Sequence, residues 1–128
     1  MINENLQSKK NKYQALIQKL TLKYTMQIAE LENIIETIEN NAVINENDSL
    51  ETIVFKKYLE MENADKVSKY INDLGYRIKT NSWLGKRKYI SSDISDIITG
   101  NPDIDPELKA VVQKLQEYNF SSVSKIWW

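Results

Sequence analysis

Lys79, Lys86, Arg87 and Lys88 stand close together in GYRIKTNSWLGKRKYISSDISDIITG, residues 75 to 100, and Ser91, Ser92 and Ser95 follow within a few positions. Ammonium and guanidinium groups at this density neutralise phosphates and release their counterions. Serine hydroxyls at a helix start donate to phosphates or base edges, where the backbone N–H groups already favour an anion. Lys69, Arg77, Lys79, Lys86, Arg87 and Lys88 against Asp73 alone make residues 69 to 88 locally +5. Lys79, Lys86, Arg87, Lys88, Ser91, Ser92 and Ser95 are therefore the candidate DNA-binding residues. The competing reading of Lys86-Arg87-Lys88 is a solvated hairpin tip. Against base recognition, the following helix carries Asp93 and Asp96 and lacks the usual reading side chains Arg, Asn and Gln. A carboxylate near phosphates repels them, although it can accept from a cytosine amino group. The basic loop then supplies affinity and the helix little specificity.

Most other chemistry is excluded by composition. There is no Cys and no His, which removes thiol nucleophiles, imidazole bases, disulfides and the usual zinc sites together. Asp93, Asp96, Asp103 and Asp105 could suggest a metal or an acid–base pair. Helix capping accounts better for Asp93 and Asp105, and no nucleophile accompanies them. The expectation is a protein that is not an enzyme, with no cofactor and no metal. The formal net charge is −1, so only local clusters can steer a partner. No apolar run approaches a membrane span, and MINENLQSKKNK lacks the apolar core of a signal peptide. A cytoplasmic protein with no membrane contact is expected. Lys outnumbers Arg 15 to 2, a coding bias toward A·T-rich DNA that suggests a phage or mobile-element source.

The elements that must position the basic stretch are mainly helical. Residues 4 to 41 contain no Gly and no Pro. Leu6, Tyr13, Leu20 and Ile34 share one heptad position, and Ile17, Tyr24, Leu31 and Ile38 share another, with Ile28 and Ile35 widening the stripe; Lys10, Gln27 and Asn41 interrupt it. That is a coiled-coil-like seam on a long amphipathic helix over 1–42. Such a helix cannot bury its own stripe. Lys9, Lys10, Lys12, Lys19 and Lys23 lie in its first half, and Glu30, Glu32, Glu36 and Glu39 in its second. This order opposes the helix dipole, but two copies placed antiparallel would match basic to acidic halves at both ends. The spacing thus predicts a homodimer through an antiparallel N-terminal helix, with Ile17, Leu20, Tyr24, Ile28, Leu31, Ile34 and Ile38 as association residues. The alternative is that the stripe packs on the chain's own C-terminal domain.

A polar linker over 43–49 precedes a compact domain over 50–120. Ser49 or Asp48 caps a helix to about Glu62, and Val67, Tyr70, Ile71 and Leu74 form one face of the next, with Gly75 at C′. The alternation of Tyr76, Ile78 and Thr80 fits a short strand, Gly85 a turn, and Tyr89-Ile90 a returning strand. Ser91 or Ser92 caps a third helix with Ile94, Ile97 and Ile98 inward, and Asp105 with Pro106 opens the last, faced by Leu108, Val111, Val112 and Leu115. Trp83 is expected as a hairpin residue packed on the core, with base stacking the lesser alternative. In the aromatic tail over 121–128, Trp127 and Trp128 either fold back onto the domain or anchor a partner.

The order of helix, helix, glycine, extended basic stretch, helix is the outline of a winged helix-turn-helix. VSKYINDLGYRIKTNSWLGKRKYISSDISDIITGNP, residues 67 to 102, resembles the DNA-binding "recombinase" segment of large serine recombinases at Ile71-Asn72, Gly75, Trp83, Ser91-Ser92, Ile94, Ile97-Ile98 and Asn101-Pro102. The resemblance covers about 36 residues at the level of motifs, and the catalytic serine domain of that family is absent, so strand cleavage is not implied. It implies sequence recognition by the helix from Ser91 to Thr99 in a major groove. The expected function is a dimeric DNA-binding accessory or regulatory protein, its long helix setting the spacing of two basic modules on paired half-sites. The alternative is a protein-binding adaptor or inhibitor that acts through the long helix and the Trp tail without nucleic acid.

Overall fold

The structure, a computed structural model, describes residues 2–81, 83 and 85–120, with the backbone alone at 118–120. The chain is mainly helical: α1 (Glu4–Asn40), α2 (Leu50–Met61), α3 (Ala64–Asp73), β1 (Ile78–Lys79), β2 (Lys86–Arg87), α4 (Ser91–Thr99) and α5 (Pro106–Phe120). It divides into two units, Met1–Glu36 and Thr37–Trp128.

The first unit is almost all of α1. Asn3 starts the helix, its Oδ1 accepting from the Leu6 N–H at 2.9 Å. With no helix breaker in the segment, α1 continues unbroken through both Lys10 and Gln27. It spans ~55 Å at ~1.5 Å per residue.

The second unit begins within the last turn of α1, where Thr37 is fully buried. Asn41 closes that turn by donating from Nδ2 to the Thr37 carbonyl at 2.8 Å. The polar stretch that follows forms its own hydrogen bonds. The Asn45 N–H donates to Asp48 Oδ2 at 2.8 Å, and Lys56 Nζ donates to Asp48 Oδ2 at 2.7 Å and to the Val43 carbonyl at 2.9 Å. The Lys56 ammonium holds the Asp48 carboxyl below the usual carboxylate range. Both side chains are largely withdrawn from water, at 7% and 13% exposure. Removing one partner of a buried pair leaves the other charge uncompensated. Asp48→Ala is therefore expected to destabilise the domain, near the lower end of the roughly 3–5 kcal/mol typical of such losses. Urea unfolding checks it, and a loss under about 1 kcal/mol would mean that water already screens the pair.

Local caps set the helix order. Ser49 Oγ accepts from the Thr52 N–H and opens α2; Asn63 Oδ1 accepts from the Lys66 N–H and opens α3. Between them, Glu62 takes the left-handed conformation at φ 48°, which lets α3 start immediately after α2. α3 ends in a Schellman motif: the Tyr76 N–H donates to the Ile71 carbonyl and the Gly75 N–H to the Asn72 carbonyl, with Gly75 at φ +97°. Asp105 Oδ2 accepts from the Leu108 N–H and Pro106 takes the first position of α5, as expected.

The core lies where α2, α3, α4 and α5 meet. Val54 and Phe55 of α2, Val67 and Ile71 of α3, Ile94 and Ile98 of α4, and Leu108 and Val112 of α5 are all fully buried. Leu74, expected on the inner face of α3, is half exposed, because the Schellman turn ends the helix at that position. Among the described residues, no helix is long and apolar enough to cross a membrane.

Candidate nucleic-acid interface

The basic residues sit on an antiparallel hairpin between α3 and α4. Its register pairs Ile78 with Arg87 and Lys79 with Lys86. The expected return strand at Tyr89-Ile90 is corrected by this register. Gly85 at φ +82° turns the chain early enough for Lys86 to meet Lys79, and the Thr80 N–H closes the loop on the Gly85 carbonyl at 2.8 Å. Since Thr80 and Gly85 form a hydrogen-bonded position, the neighbouring Lys79–Lys86 pair is a non-hydrogen-bonded one, where opposed side chains come closest. Two like charges directly across a ladder repel, and both lysines are exposed.

The other face of the hairpin is tied down. Ile78 is half-buried. Arg87 makes a bidentate pair with Asp93 at the start of α4, Nη1 to Oδ2 and Nη2 to Oδ1, both at 2.7 Å. The same carboxylate accepts from the Ile90 N–H at 2.8 Å. The expected capping of α4 by Ser91 or Ser92 is thus corrected. Ile90 occupies the N-cap position with no capping side chain of its own, and Asp93 reaches back from the first turn instead. A second tie comes from α3. Asn72 Oδ1 accepts from the Tyr89 N–H at 2.8 Å while its Nδ2 donates to the Tyr89 carbonyl at 2.9 Å, imitating a strand partner. Partial burial pushes the Tyr89 phenol above its ordinary value.

The Arg87 guanidinium, partly opposed by burial, holds the Asp93 carboxyl below 3.8, its ordinary value. A carboxylate with a lowered folded-state pKa contributes stability that is complete above the unfolded value and disappears as pH falls through the folded one. The clasp between hairpin and α4 is therefore expected to hold at neutral pH and to weaken only below about pH 3.8. Amide exchange at Ile90 measured down the acid range checks this, and Asp93→Asn should abolish the acid dependence there. Exchange at Ile90 that accelerates already near pH 6 would contradict it.

The candidate cations therefore divide by role. Arg87 is committed to Asp93, though its side chain stays 44% exposed. Lys79, Lys86 and Lys88 are exposed and form no ion pair among the described residues. Arg77 donates to the Asn72 and Tyr76 carbonyls but meets no carboxylate among the described residues, so its charge also stays on this surface. From Leu74 to Ser92 the chain has five basic residues and no acid, so the surface carries one sign. Trp83 is the largest departure from the sequence reading. Expected in the core, it is 93% exposed. The loop places it beyond the end of the two-residue strands, where no core side chain reaches. A large apolar ring in water beside a basic ridge has the chemistry that stacking on an unpaired base or wedging into a groove would require.

Ser91, Ser92 and Ser95 come together with one another, but they line a cleft with Asn63 and Gln116 that no lysine or arginine among the described residues lines. Along α1, Ile17, Leu20, Tyr24 and Ile28 are each half exposed or more, Ile38 slightly less, and Leu31 and Ile34 are half-buried. Trp127 and Trp128 lie outside the described residues.

Two functional assignments were missed by the sequence reading. Asn72 is the clasp between α3 and the hairpin exit, and Arg87 is a structural partner of Asp93. The six-residue separation of Arg87 from Asp93 crosses a strand end and a helix start, so no helical or strand periodicity announces it. Among the described residues, no group of acidic side chains is placed to hold a metal ion. Compared with known protein families, with curated proteins and with solved structures, the chain matches none.

Proposed function

We propose that the chain is a dimeric DNA-binding accessory or regulatory protein, in which the hairpin grips the phosphate backbone of a duplex. One observation carries the reading: Lys79 and Lys86 are held directly across a two-stranded ladder, exposed and unpaired, beneath a tip that presents Trp83 to solvent. Such a pair is unfavourable until an anion lies against it. A duplex backbone offers anions in a row, and its binding releases counterions. The hairpin acts as a wing, and the segment over residues 67 to 102 works as the recombinase segment it resembles, with α4 toward the major groove. Because α4 exposes Asp96 and lacks Arg, Asn and Gln, backbone contacts dominate and base specificity is modest.

The long helix supplies the dimer. Its apolar stripe is exposed from Leu6 to Ile28, and its lysines and glutamates occupy opposite halves. An antiparallel second copy covers the stripe and pairs the charges at once, whereas a parallel copy stacks like on like. Two-fold symmetry then presents two hairpins to paired half-sites.

The test is a mass measurement in solution combined with binding to random duplex DNA at two salt concentrations. The expected results are a species of twice the chain's 15.0 kDa and an affinity that falls steeply as salt rises. A protein-binding adaptor is the reading left standing if duplex affinity is absent even at low salt.

A further inference from the structure

We propose that the cleft between the starts of α3 and α4 is a binding site for a phosphate group. The cleft has a volume of about 310 Å³, and Asn63, Ser91, Ser92, Ser95 and Gln116 are the polar residues that line it. Gln116 is only 3% exposed, and its Nε2 has no hydrogen-bond acceptor among the described residues. A buried amide donor without an acceptor is unfavourable, and native interiors rarely leave one without a purpose.

The rest of the lining has the same polarity. Two helices of ten and nine residues begin at this cleft, and the first N–H groups of a helix have no partner within it. At α3, Asn63 uses its Oδ1 to accept from Lys66, which leaves its amide nitrogen as the remaining side-chain donor. At α4, Asp93 is occupied with the Ile90 N–H and with Arg87, so no side chain accepts from the N–H groups of Ser91 and Ser92. Three hydroxyls complete the set, and among the described residues no carboxylate lines the cleft. Asp93, directly after Ser92, has its charge compensated by the bidentate guanidinium, and Asp96, directly after Ser95, does not line the cleft. Neutral donors on two convergent helix N-termini suit a compact anion with several acceptor oxygens. A tetrahedral phosphate offers an oxygen to each helix start and a third to Gln116.

None of the described hairpin residues lines this cleft. The phosphate could belong to a duplex backbone or to a small phosphate ester, and the chemistry of recognition is the same. The test is a titration of the full chain with inorganic phosphate, followed by NMR, against sodium chloride at matched ionic strength. Saturable shifts are expected at the Gln116 side-chain amide and at the Ser91 and Ser92 backbone amides, and not with chloride. Ser91→Pro removes one donor at a first-turn position that tolerates proline, and Gln116→Leu removes the buried amide. Each is expected to weaken phosphate binding by about tenfold, roughly one hydrogen bond to a charged acceptor. A duplex titration assigns the source: shifts at Gln116 point to a backbone phosphate, while their absence beside a positive phosphate response points to a small ester. The proposal is overturned if phosphate up to about 50 mM, a very weak dissociation constant, moves these signals no more than chloride does. Unchanged binding in both variants overturns it equally. Since Lys79, Lys86 and Lys88 lie outside the cleft, their replacement leaves the phosphate response intact, and failure of the duplex reading stays separable from failure of this one.

Discussion

Replacing Lys79, Lys86 and Lys88 together with alanine is expected to reduce duplex affinity on the order of 10²-fold at about 0.1 M salt. The loss follows from counterion release. Each phosphate neutralised contributes about 0.9 to the slope of log affinity against log salt, so losing three contacts should flatten the slope by roughly 2.7 per copy. The choice of residues comes from the hairpin geometry. Arg87 belongs to the same basic run, but its guanidinium is committed to Asp93. An Arg87→Ala protein would lose the clasp on α4 as well as a charge, and its phenotype could not be assigned. The three lysines have no such second role, since none is ion-paired among the described residues. The folded domain should keep its stability within about 0.5 kcal/mol, as exposed substitutions do. It could even gain slightly from the removed repulsion between Lys79 and Lys86. Fluorescence anisotropy with a labelled duplex across a salt series gives both quantities. If affinity and slope match those of the unaltered chain, the hairpin does not contact phosphates and the proposed function fails with it.

Phe55→Ala is expected to cost the compact unit about 3–5 kcal/mol. Phe55 is fully buried in α2, the helix packed against α3, α4 and α5 alike. It is also the largest fully buried side chain among the described residues. Its truncation removes apolar area and leaves a cavity that four helices must share. A domain of this size sits near the lower end of the roughly 5–15 kcal/mol range of natural stabilities. A loss of that magnitude therefore brings it close to unfolding at ordinary temperature. Urea unfolding should show a lower midpoint with an unchanged slope. A loss below about 1.5 kcal/mol would mean that the centre of the core lies elsewhere or collapses readily around the vacancy. The hairpin should suffer in the same variant, since Asn72 and Asp93, which anchor it, stand on helices that this core aligns.

Much of the architecture is legible in the residues themselves because it depends on short-range physics. The long helix follows from some forty residues without glycine or proline and from a repeating apolar stripe. Leu6, Tyr13, Leu20 and Tyr24 of that stripe are exposed, but so are Leu16, Leu22 and Met26 off it, while Leu31 and Ile34 are half-buried. Gly75 as the end of α3 and Asp105-Pro106 as the start of α5 are local backbone requirements, and any reading of capping finds them. Ile94 and Ile98, one helical turn apart, had to share an inner face.

The details that decide what the basic stretch can do are tertiary. The sequence alone established a helical chain with a charge-segregated rod and one strongly basic turn. It could not say that Arg87 points back to Asp93 while Lys79 and Lys86 face out, because hairpin register depends on which residue takes positive φ in the turn and on which face the core covers. Trp83 was misplaced for the same reason. Aromatic residues bury on average, but a ring at the tip of strands two residues long has nothing to pack against. Nor did spacing bring Gln116 to Ser91, Ser92, Ser95 and Asn63. Only the packing of α3, α4 and α5 on α2 sets Gln116 beside two helix starts, since contact between residues far apart in the chain is fixed by the core and not by local propensity.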